Sequence, residues 1–202
     1  MAGCRQYTCD KCKNFIETTF RESFPPEGLL EGKLNSRVWI IGLNPKLEEG
    51  EYENRTQRDL EEYFNKPGVH GYFKDFKTVS SLLYNSLGKE KGVAHTDLIK
   101  CKSKKYDFKE NKISIIQNCQ GYLQKQIERY KPKVIICNGA DTSQAILTIL
   151  PPEGDQERLT SYVSNVMGYE IRVVLSGFIG RIDNYAKRRL GEEIEKFIQP
   201  LF

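Results

Sequence analysis

Six cysteines carry the first chemical signal in the chain: Cys4, Cys9, Cys12, Cys101, Cys119 and Cys137. Cys9-Asp10-Lys11-Cys12 is a C-x2-C pair, which taken alone could be half a zinc site or a redox pair. Cys101 and Cys119 stand far from that pair and from each other. The four together supply enough thiolates for Zn²⁺ or for an iron–sulfur cluster. Zinc sites tend to use two close pairs, so one close pair with two dispersed ligands fits a cluster better. Cys4 is an alternative ligand to Cys9. Cys137 lies inside an apolar run and reads as a small buried hydrophobe. Residues 1–13 are polar and cysteine-bearing, unlike a secretory signal, so the protein is expected to be intracellular, where thiols ligate metals rather than pair as disulfides.

Ligands so far apart need a fold to collect them. Short β-branched runs at 38–43, 93–99, 134–137 and 171–175 read as buried strands. Helical spacing of apolar residues separates them, over 75–87, 113–130, 140–150 and 185–198. Pro132 stops the second of these helices, and Pro151-Pro152 stops the third. Strand–helix alternation implies a mostly parallel sheet covered on both faces. The chain's 202 residues, 39% of them hydrophobic, suit one domain over 1–202. No run approaches the roughly 18 apolar residues of a membrane span. In parallel sheets ligands bind beyond the carboxyl ends of the strands. That rule draws attention to Asn44-Pro45-Lys46, residues 100–105, Asn138-Gly139-Ala140 and residues 176–181.

The formal charge of +4, from 31 basic and 27 acidic residues, permits nucleic-acid binding without requiring it. Clustering is more informative, and basic residues gather at 100–105 and 181–189. Phe178-Ile179, an apolar pair between Gly177 and Gly180, has the composition of a wedge that fills the gap left by an extruded base. Arg181, Lys187, Arg188 and Arg189 would neutralise phosphates beside it.

Several segments, in order, resemble the uracil-DNA glycosylase superfamily. Ile40-Ile41-Gly42-Leu43-Asn44-Pro45 is similar to its first motif, a strand ending in Gly-x-Asn/Asp/Ala-Pro. His95-Thr96-Asp97-Leu98-Ile99-Lys100-Cys101 resembles the second strand of the iron–sulfur branch. Cys119 with Leu123, then 131–136, resembles the following helix and strand, and Gly139-Ala140 the opening of the next helix. The resemblance spans about 9–189. It implies a three-layer α/β/α sandwich around a four-stranded parallel sheet. It also implies a 4Fe–4S cluster held by Cys9, Cys12, Cys101 and Cys119, mainly structural. The implied partner is damaged DNA, single- or double-stranded, with the protein acting as a monomer. The implied activity is base excision: a base is flipped out of the stack and its N-glycosidic bond is hydrolysed.

The same resemblance distributes roles. Asn44 falls where a side chain positions the attacking water. An amide is too weak a base to take a proton early, so the reaction would pass through an oxocarbenium-like sugar. Gly42 would let the backbone approach the base. Phe73, in Gly71-Tyr72-Phe73, would stack on the base, while Phe76 reads as core. Two positions depart from the pattern. Asp97 stands where uracil-specific members carry Asn; ionised, it can only accept hydrogen bonds. It would suit a base edge that presents donors, or work protonated. Ser176 stands where the superfamily carries a His that stabilises the leaving base. Losing such a donor costs on the order of 3 kcal/mol, about a hundredfold in rate. Arg181, His95 or a leaving group that needs less help would then compensate.

Overall fold

The computed structural model describes residues 28–45, 56–66, 71–100, 107–154 and 160–202. The expected runs become strands β1 (Val38–Gly42), β2 (Val93–Asp97), β3 (Val134–Cys137) and β5 (Tyr169–Val174). All four are parallel, with Val38 opposite both Val93 and Val134, and Ile136 opposite Val174. A fifth strand, β4 (Ser161–Val166), runs antiparallel to β5 and completes the order β2-β1-β3-β5-β4. The four-stranded expectation therefore gains an edge strand. Its sequence Ser-Tyr-Val-Ser-Asn-Val buries Tyr162 and Ser164 while Asn165 stays exposed, so it lacks the continuous apolar run of a central strand.

Alternation along the strands divides the core into two layers. Trp39, Ile41, Ala94 and Ile135 face α4 (Asp107–Tyr130) and α5 (Ala140–Ile149), meeting Ile115, Cys119, Leu123 and Ile146. Val38, Ile40, Val93 and Ile136 face the other way, toward α2 (Lys74–Val79), α3 (Ser81–Asn85) and α6 (Asn184–Ile198). There they meet Phe76, Val79, Leu83 and Ile194. Burying both faces of a parallel sheet in this way gives the α/β/α sandwich its stability. A short α1 (Gln57–Glu61), closed by a Thr56–Asp59 capping box, brings buried Leu60 toward the β2 edge.

The single helix expected over 75–87 is two. Ser80 is extended (φ −154°, ψ 123°) and caps α3, accepting from the Leu83 N–H at 3.2 Å. Its hydroxyl also donates to Glu195 on α6 at 2.6 Å. The break lets α6 lie against the end of α2: a Cβ on Gly191 would run into the Val79 carbonyl oxygen. Only glycine allows the two helices to pack that closely.

At the open edge, β2 is covered by a one-residue antiparallel bridge. Glu31 and His95 exchange both backbone hydrogen bonds at 2.8 Å. The bridge protects the edge and delivers the Glu31 side chain to the middle of β2.

Candidate active site at the carboxyl ends of β1 and β2

His95 and Asp97 are two apart on β2 and so share a face. The His95 ring lies edge-on to Phe73 and Tyr72, with centroids 5.1 and 5.4 Å away. Nδ1 is 2.9 Å from Glu31 Oε2, and Nε2 is 3.8 Å from Asp97 Oδ1. The side chains of His95 and Asp97 are only 8% and 15% exposed. Nε2 is buried and has no hydrogen-bond partner among the described residues. Gly42 at the end of β1 completes the constellation. A Cβ there would collide with Asp97 Oδ1 and lie 2.9 Å from Tyr72 Oη and 3.1 Å from His95 Nε2. Three polar atoms thus converge on a backbone stripped of its side chain.

The electrostatics follow from burial and from two nearby carboxylates. Burial disfavours charge on His95, but Asp97 and the Glu31 hydrogen bond outweigh it, so the imidazole titrates above its ordinary range. Burial lifts Asp97 to about 6; His95 and Lys100 pull it down, and Glu31 pushes it further up. Burial, then Asp97, raises the Tyr72 phenol, which stays protonated.

Behind β2, Lys100 is 3% exposed and donates to Thr96 Oγ1 at 2.7 Å and to Gln126 Oε1 at 2.6 Å. Thr96 in turn donates to the Leu29 carbonyl at 2.6 Å. This network ties α4 to the end of β2. A cavity of ≈ 20 Å³ opens here, bounded by Glu31, Pro45, Leu60, His95, Asp97 and Lys100 among others. That volume suits a water rather than a base.

Asn138 at the end of β3 links the site to the loop after β5. Its Nδ2 donates to Tyr72 Oη at 2.6 Å, and its Oδ1 accepts from the Ile179 N–H at 2.8 Å. Phe178, 41% exposed, lies 6.1 Å from the Tyr72 ring, with the Arg181 guanidinium 5.8 Å over it.

The structure brings together Gly42, Asp97, Phe178 and Arg181 around Tyr72, with Asn44 half-buried just beyond β1. Other expectations change. Phe73 is 2% exposed and packs in the core on Phe64 and Phe76, because the 3-10 turn Gly71–Phe73 directs its neighbour Tyr72 toward Gly42 instead. Ile179 is fully buried, so Phe178 alone remains of the wedge pair. Lys187 is buried and bonded to Asp75 at 2.7 Å, which withdraws it from the phosphate-binding set. Ser176 points its hydroxyl at the Gly177 carbonyl, 2.6 Å away. Its backbone is tied to Ser143 and Gly139 at the start of α5. β5 lies three places from β2, about 14 Å at the usual strand spacing. Cys119 is buried in the α4 layer of the core that also holds Ile99. Cys4, Cys9, Cys12, Cys101 and residues 102–105 lie outside the described residues. Cys137 is buried as expected, its thiol pushed up to about 12 by desolvation.

Glu31, Tyr72, His95 and Asn138 are the groups a motif-by-motif search underrates. His95, Tyr72 and Asn138 lie in segments that the sequence singles out, whereas Glu31 leaves no trace.

A doubly covered, mostly parallel sheet with polar groups gathered beyond adjacent strands is an α/β protein built to bind a ligand at that end. The sequence profile of the uracil DNA glycosylase superfamily matches residues 30–192, and the chain belongs to that superfamily. Membership brings DNA glycosylase chemistry in general, with DNA as the substrate. No curated protein matches the chain. No helix among the described residues is long and apolar enough to cross a membrane.

Proposed function

We propose that the protein hydrolyses the N-glycosidic bond of uracil or another deaminated or damaged base flipped out of DNA. The observation that carries this is the convergence of Asp97, Tyr72 and His95 on the bare backbone of Gly42, with Asn44 two residues further along the chain. In the reaction, the C1′–N bond breaks with its electron pair leaving on the base. Asn44 holds a water beneath the oxocarbenium-like sugar, that water adds to C1′, and the proton it gives up neutralises the departed base anion through solvent. Tyr72, rather than Phe73, offers the ring against which the base lies. Phe178 stands exposed beside Tyr72, which suits a side chain that fills the vacated stack.

A second reading, a nucleic-acid-binding homologue with little catalysis, draws on Ser176. Its hydroxyl is committed to the Gly177 carbonyl rather than turned to a ligand. Incubating the protein with oligonucleotides carrying uracil, hypoxanthine or xanthine, then cleaving abasic sites with alkali, separates the two. Strand scission at the modified base supports the enzyme; binding without scission supports the homologue.

Cys9, Cys12, Cys101 and Cys119 would hold a 4Fe–4S cluster, which when bound supplies a cross-link rather than redox chemistry. The position of Cys119 suits a ligand there. It is buried on the α4 face that also carries Gln126, the partner of Lys100, and Lys100 is the residue before Cys101. Broad absorbance near ~400 nm that disappears in a Cys119→Ala variant tests the assignment; a colourless holoprotein carrying zinc would reject it.

A further inference from the structure

Asp97 alone is a poor substitute for an Asn amide, because a carboxylate accepts and cannot donate. The structure places a donor beside it. His95 Nε2 lies 3.8 Å from Asp97 Oδ1, is buried, and has no hydrogen-bond partner among the described residues. Both atoms border the same point above Gly42. Glu31 accepts at Nδ1, fixing the ring and favouring a second proton on Nε2.

We infer that Asp97 and His95 together form a split amide, a two-residue reader of a lactam edge in which Asp97 accepts from the ring N–H and His95 donates to the adjacent carbonyl. The ligand being a base rests on the glycosylase reading above. Uracil, hypoxanthine and xanthine present this donor–acceptor order. Cytosine and adenine present the reverse, a ring nitrogen lone pair toward the carboxylate and an amino group toward the imidazolium. With the sugar bond fixing the base's orientation, both contacts turn repulsive, and a site with mismatched buried polar groups rejects strongly.

The pair reads a lactam only when Asp97 is ionised and His95 is protonated. Its other charged or titratable neighbours are Glu31 on the edge bridge, Lys100 after β2 and Tyr72 on the 3-10 turn. Asp97 gains its charge as pH rises through about 6, and His95 loses its own above its ordinary range. Recognition therefore peaks in a bounded window and falls on both sides, whereas an Asn amide shows no such window.

The test is equilibrium binding of single-stranded oligonucleotides with one uracil, hypoxanthine, cytosine or adenine on a hydrolysis-resistant 2′-fluoro sugar, followed by anisotropy from pH 5 to 9. Wild type is expected to prefer each lactam base over its amino counterpart by tenfold or more near neutrality, with the preference shrinking at both ends. His95→Leu should cut the preference to what Asp97 alone gives, severalfold below wild type, and remove its alkaline decline. His95→Gln, which keeps a donor that does not titrate, should retain it and lose the alkaline decline. Asp97→Asn should retain it at all pH values and make His95→Leu harmless in the double variant. A preference undiminished by His95→Leu in the Asp97 background, or no preference in wild type, overturns the inference. Excision measured in parallel on natural sugars reports separately on the glycosylase reading: lactam preference without excision rejects catalysis and leaves the split amide standing.

Discussion

Asp97→Asn should make the protein more stable at neutral and alkaline pH, and the size of the gain follows from the site. The unfolded carboxyl titrates near 3.8, and burial raises it to about 6 in the fold. A group whose folded pKa is raised binds more protons folded than unfolded between those values, so stability falls as pH rises through the window. Each unit corresponds to about 1.4 kcal/mol, and the interval of about two units gives about 3 kcal/mol. His95 also titrates higher in the fold, which adds a second decline above its ordinary pKa. An Asn side chain matches the neutral carboxyl in shape, so the variant removes the Asp97 share of this loss, and with it the charge that does most to raise His95. Urea unfolding of both proteins from pH 4 to pH 8 measures it. The two should coincide near pH 4 and diverge above pH 6, with the variant more stable by up to about 3 kcal/mol. Equal stabilities at pH 8, or a less stable variant there, would refute the claim that the carboxylate is held at a cost for recognition.

Three further outcomes follow from the same geometry. Gly42→Ala would force a methyl into Asp97, Tyr72 and His95; it should lower stability by about 1–3 kcal/mol and excision at least tenfold, read by melting and single-turnover kinetics. Lys187→Met should lower stability by about 1 kcal/mol through loss of the Asp75 bond while leaving the salt dependence of DNA binding unchanged, whereas Arg181→Ala should reduce that log–log slope by about 1. Phe178→Ala, at an exposed position, should leave the melting temperature intact and depress excision from duplex more than from single strands, where there is no stacked gap to fill.

β1 and β3 were legible because each is a short apolar run buried on both faces, and β2 and β5 because each carries a short buried apolar stretch between helical patterns. β4 was not, since its polar residues mark a half-exposed edge. The break at Ser80 is invisible to helical periodicity because it depends on Glu195, far along the chain. Gly42 and Asp97, expected from motif position, do lie against each other. Tyr72, the neighbour of the expected Phe73, is the ring set toward Gly42: the two are adjacent in a 3-10 turn, and only packing against Phe64 and Phe76 decides which ring turns inward. Glu31 carries no local signal at all. It reaches His95 through a backbone bridge between segments 64 residues apart. Lys187 read as surface charge because its partner Asp75 sits on another helix.

Single-turnover base release by wild type and Asn44→Ala, from oligonucleotides carrying uracil, hypoxanthine or xanthine, tests the central claim most directly. Wild type is expected to free at least one of these bases, and Asn44→Ala to lose that activity at unchanged DNA affinity. Release of none of them, or equal release by the variant, would contradict the assignment.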